Sequence, residues 1–84
     1  MNVFFKSEKP PVELVAALHK VFRQEGCDRF LLDRTTQDER LEMVARGLRW
    51  HLIMKESHEM QPDSTIKVYY KLTQKGEKAV NGYK

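Results

Sequence analysis

The chain has 84 residues, of which 40% are hydrophobic and 32% charged, with three prolines and four glycines; it can hold one small domain and is neither a low-complexity tail nor a linker. Its net charge of +3 permits an anionic partner without demanding one. No apolar run approaches the roughly 20 residues of a membrane span, residues 1–6 lack the makings of an export signal, and the single cysteine, Cys27, excludes an internal disulfide, so a cytoplasmic protein held together by packing alone is expected.

Val3-Phe4-Phe5 is an isolated apolar cluster ahead of Pro10-Pro11, readable as a short strand or an arm. After Pro11, the residues Leu14, Val15, Leu18, Val21 and Phe22 recur at helical spacing and predict a helix over 11–25, ended by Gly26. Cys27, Phe30 and Leu31 are spaced by three and four, as in a second, short helix; a strand over Phe30-Leu31-Leu32 is the alternative. Thr36-Gln37-Asp38-Glu39 has the form of a capping box, and Leu41, Val44, Ala45 and Leu48 follow at i, i+3, i+4 and i+7. A helix from 36 to 47 or 48 is predicted, with that stripe in the core and Glu39, Met43 and Arg46 on the outer face. Residues 49–56 read as a strand with Trp50, Leu52 and Met54 on one side, the alternative being a helix continued to Lys55. Residues 57–64 read as a loop. Ile66, Val68, Tyr70 and Leu72 then alternate with Lys67, Tyr69, Lys71 and Thr73, the strongest strand signal in the chain, which closes a hairpin with the preceding run. Thr73 is placed to cap a short final turn or helix, with Gly76 allowing close approach and Ala79 and Val80 offering an apolar contact.

These elements make one α+β domain over 1–84: three helices followed by a two-stranded hairpin and a short C-terminal turn or helix. The core is expected to join Leu41, Leu48, Leu52, Tyr70 and Leu72 to Leu14, Leu18 and Phe22. The stretch Tyr69-Tyr70-Lys71-Leu72-Thr73-Gln74-Lys75-Gly76 resembles the Tyr-x-Leu-Thr-x-x-Gly segment that closes the wing in PadR-like and MarR-like winged helix-turn-helix regulators. The resemblance implies that the 36–47 helix is a recognition helix and the hairpin a wing, and that the protein is a DNA-binding transcriptional regulator or accessory factor acting on double-stranded DNA. Arg40, Arg46 and Arg49 would then serve the groove, and Lys67, Lys71 and Lys75 the phosphates. The charge distribution agrees with that placement: residues 1–34 sum to +1, residues 35–64 to −2 and residues 65–84 to +4.

A second class of function competes with the first. The outer face of the 36–47 helix offers Glu39, Met43 and Arg46 in place of a run of Arg, Lys, Asn and Gln, and the 57–64 segment is acidic. That pattern suits a protein-docking module or inhibitor acting on a larger partner, of a kind common in phages and mobile elements. Chemistry of other kinds finds little footing. His51, Glu56, His58 and Glu59 match no established metal-ligand spacing, Cys27 beside Phe30 and Leu31 reads as a small hydrophobe, and no phosphate loop or nucleophile elbow is present. No enzyme activity, metal or cofactor is expected. Tyr69 is the one candidate for stacking on a base. A homodimer formed through Val3-Phe4-Phe5 and the first helix completes the expectations, because exposed aromatic clusters mark association sites.

Overall fold

The computed structural model describes residues 9–26 and 28–83, so the expectations placed on Val3, Phe4, Phe5 and Cys27 lie outside the described residues. Helix α1 (Val12–His19) follows Pro11 and buries Leu14 and Leu18. It continues through one wider π turn over Lys20–Gln24, closed by the Glu25 N–H donating to the Lys20 carbonyl at 2.9 Å, which carries Val21 and Phe22 into the core. Gly26 then reverses the chain at φ 72°, a left-handed conformation that costs glycine little.

Phe30–Leu32 forms strand β1, not a second helix. It lies antiparallel to β3 (Ile66–Leu72), with Phe30 opposite Tyr70 and Leu32 opposite Val68. Strand wins because Phe30 can then meet Phe22 edge-on at 5.6 Å and stack on Tyr70 at 5.9 Å, while the backbone of β1 satisfies the otherwise open edge of β3. The sheet therefore has three strands in the order β1-β3-β2, correcting the expected two.

Helix α2 spans Asp38–Arg49. The expected capping box does not form: the Thr36 hydroxyl accepts from the Asp33 N–H at 2.8 Å, and Gln37 precedes the helix without a side-chain cap. The helix ends in a Schellman motif, the His51 N–H donating to Leu48 O at 3.1 Å and the Leu52 N–H to Gly47 O at 2.9 Å. His51 takes the left-handed position at φ 59°, which turns the chain into β2 (Ile53–Met60). The strand thus starts later than residue 49 and runs further than residue 56. The hairpin tip is confined to 61–65, because Ser57 to Met60 pair with Tyr69 to Ile66; these polar residues gave no strand period since β2 is an edge strand exposed on both faces beyond Ile53. A bulge at Glu56 interrupts the pairing between Lys55 and Ser57. Helix α3 (Gln74–Asn81) is capped as expected, the Thr73 hydroxyl accepting from the Gly76 N–H at 2.9 Å.

The described residues form a small α+β domain of three helices and a three-stranded antiparallel sheet, 50 × 30 × 22 Å in extent. Only two of the helices precede the hairpin, the third following it. Its core joins Leu14, Leu18, Val21 and Phe22 to Phe30, Met43, Val44, Leu52, Ile53, Leu72 and Val80, with Tyr70 half-buried beside them. Two expected core residues are not in it: Leu41 is 42% and Leu48 39% exposed. The reason is Gly47. A Cβ at that position would stand 2.9 Å from Ile53 Cγ1, so α2 packs on the sheet through its smallest residue, turning Met43, Val44 and Gly47 inward.

Candidate functional site

The consequence of that rotation is an outer face of α2 made of Asp38, Leu41, Glu42, Ala45, Leu48 and Arg49, all exposed. The other four lie within one turn of Leu41 or Leu48, and the two leucines sit seven residues apart, about 10.5 Å along the axis. Acidic groups occupy the N-terminal half, where they complement the helix dipole, and Arg49 closes the C-terminal end. The sequence pattern placed the whole stripe in the core; Val44 is buried there, whereas Leu41, Ala45 and Leu48 face outward, because a buried glycine carries no hydrophobic signal.

The residues expected to meet DNA are divided by the fold. Arg40 is half-buried, 3.2 Å from Glu25 and with its guanidinium 5.9 Å above the Phe30 ring. Arg46 reaches back to Glu13 of α1 at 3.8 Å. These pairs are open to solvent and worth under about 1 kcal/mol each, so they orient the arginines without locking them. What argues against groove reading is the composition of the outer face, where Asp38 and Glu42 would meet phosphate. Met43, expected on that face, is buried, while Glu39 is exposed in the first turn.

Lys67 lies opposite Glu59 in the sheet and close enough to Asp33 to help hold its carboxylate in the ionised form. Lys71 is exposed opposite Met54. Lys75, in the first turn of α3, holds its ammonium 5.9 Å from the Trp50 ring. The Thr73 N–H donates to Leu52 O at 2.9 Å and the Thr73 hydroxyl to His51 O at 2.6 Å, which ties this end of the hairpin to the end of α2. Arg49, Lys71 and Lys75 therefore share one end of the molecule, and none forms an ion pair with a described residue. Tyr69 is a poor base platform, since the Arg29 guanidinium already covers its ring at 5.0 Å.

At the opposite end, the turn after β1 and the hairpin tip enclose an open cleft of about 450 Å³ between Asp33, Arg34, Asp63 and Lys67. Two Asp-x-Thr turns face each other across it. Asp33 accepts from the Thr35 hydroxyl and N–H, and Asp63 from the Thr65 hydroxyl and N–H. Those bonds hold both carboxyls below their ordinary value. One oxygen of each carboxylate, Oδ1, is thus occupied in closing its own loop, and Arg34 spans to Asp63 Oδ2 at 3.7 Å. The cleft is built as a clasp between two turns. Among the described residues, no helix is long and apolar enough to cross a membrane. No protein-family model, curated protein or solved structure matched the chain.

Proposed function

We propose that this chain is a small winged-helix-type module that docks onto a protein through the outer face of α2. The order helix, strand, helix, hairpin, with β1 against β3, supports the winged-helix comparison, and α2 occupies the place of the recognition helix. A second helix ahead of it is absent among the described residues, so the turn between paired helices has no counterpart. The observation that carries the docking reading is the exposure of Leu41 and Leu48 on either side of Ala45, flanked by Asp38 and Glu42. Apolar groups bordered by charge suit a protein surface, and carboxylates in that position repel a phosphate backbone.

A photoreactive residue at Ala45, introduced in cells, should give a discrete protein adduct that disappears in a Leu41→Asp variant. The same residue at Lys71 should give none. Absence of any protein adduct from position 45 would defeat the reading.

One observation favours DNA as a second reading: Arg49, Lys71 and Lys75 stand together without carboxylate partners among the described residues. On that account binding to random duplex DNA weakens with salt in proportion to the phosphates contacted, at about −0.9 in logarithmic slope per contact. Charge reversal at all three positions would abolish it. The docking account expects no such salt-dependent binding and no effect of the triple reversal on the Ala45 adduct.

A further inference from the structure

The outer face of α2 is complementary to itself, and we infer that its partner is a second copy of this chain, paired antiparallel along α2. The inference rests on the docking reading and names the occupant of that same face. Acidic Asp38 and Glu42 lie in the N-terminal half of the face and Arg49 at its C-terminal end, with the small Ala45 between Leu41 and Leu48. A two-fold axis passing near Ala45 brings Leu41 of one copy level with Leu48 of the other. It also brings Glu42 to within about two residues' rise, ~3 Å, of the level of Arg49 across the interface. Each contact is made twice, as an isologous interface requires. Ala45 allows close approach of the backbones at the centre, and antiparallel packing sets the two helix dipoles head to tail.

Self-pairing in the parallel sense would place Glu42 against Glu42 and Arg49 against Arg49, so the charge pattern also selects direction. The other extended edge offers no equal alternative. Along β2, Lys55 and Glu59 look self-complementary in charge about Ser57, but the bulge at Glu56 puts Lys55 and Glu59 on opposite faces of the sheet. The bulge therefore blocks a continuous edge-to-edge ladder. A helix of 12 residues, just over three turns, cannot bury the roughly 800 Å² per partner of a standard interface, so the dimer is a weak one, formed at high local concentration.

Sedimentation velocity across micromolar to millimolar concentrations tests the inference with substitutions confined to exposed positions, their folding checked by circular dichroism. Glu42→Arg and Arg49→Glu should each weaken self-association about tenfold or more, by replacing two attractions with two repulsions. An equimolar mixture of the two single variants should recover a dimer, as should the double charge swap, because every Arg–Glu contact is restored. Leu48→Glu should remove association in all backgrounds. A wild-type chain that stays monomeric, or single variants that associate as the wild type does, overturns the inference. The adduct formed from Ala45 separates the two levels of the account: a heterologous protein adduct from a monomeric chain overturns self-pairing and leaves docking standing, whereas no adduct of either kind ends both.

Discussion

A Cβ on Gly76 would stand 1.9 Å from the Leu52 carbonyl oxygen, so the first turn of α3 rests directly on the corner between α2 and β2. Gly76→Ala is expected to cost about 3 kcal/mol and to lower the melting temperature by roughly 10–20 °C. A calorimetric shift of a degree or two would mean that the corner yields. His51 has the opposite fault, a side chain where the left-handed backbone at φ 59° suits glycine. His51→Gly should stabilise by about 1 kcal/mol in denaturant unfolding, provided the Thr73 hydroxyl keeps its bond to the residue 51 carbonyl. A loss of stability would show that the imidazole makes a contact worth more than the strain. The two clasp carboxylates give a pH dependence with a definite sign. Asp33 and Asp63 have native pKa values below the ordinary 3.8, chiefly through the hydroxyl and N–H donated by Thr35 and Thr65. Their contribution to stability is present above that ordinary value and is lost as the pH falls through the lower native ones. Carboxyl NMR titration should place both midpoints below 3.8, and Thr35→Val should return Asp33 toward it; an unmoved Asp33 would contradict the assignment of cause.

Among the elements, those whose signal is strictly local were legible in the sequence. The period of α1, the alternation of β3 and the Thr73 cap of α3 were read correctly because the same residues that set the pattern also make the contacts. The rest depended on partners distant in sequence. Phe30 becomes a strand residue through Tyr70 and Phe22. The rotation of α2 is set by the fit of Gly47 to Ile53, which no hydrophobic period records. Of the candidate site, the composition of the α2 region was legible and its orientation was not, which is why Met43 and Leu48 exchanged places between core and surface. The polar end of β2 was hidden because an edge strand exposed on both faces has no period to show. Its bulge at Glu56 serves to protect that edge. Deleting Glu56 would restore a regular ladder with β3 and forfeit only an exposed pair to Arg29 at 3.4 Å. In a Leu48→Glu background, which removes pairing through α2, the deletion should produce new concentration-dependent association in light scattering; a protein that stays monomeric would show that the edge charges suffice without the bulge.

At the scale of the whole molecule, charge and apolar surface are separated. Arg49, Lys71 and Lys75 gather where α2 leaves for the hairpin, the clasped aspartates hold the far tip, and the leucines of α2 lie between acidic neighbours and Arg49. Both the proposed docking surface and its proposed self-pairing rest on one structural fact, the direction in which α2 turns its side chains. Equilibrium unfolding of Leu48→Ala beside Val44→Ala, at a concentration where the chain is monomeric, tests that fact most directly. With Leu48 exposed and Val44 buried, Leu48→Ala should cost less than about 1 kcal/mol and Val44→Ala about 2 kcal/mol or more. A cost of about 2–5 kcal/mol for Leu48→Ala, with Val44→Ala nearly neutral, would return the leucine stripe to the core and remove the surface on which the proposed function stands.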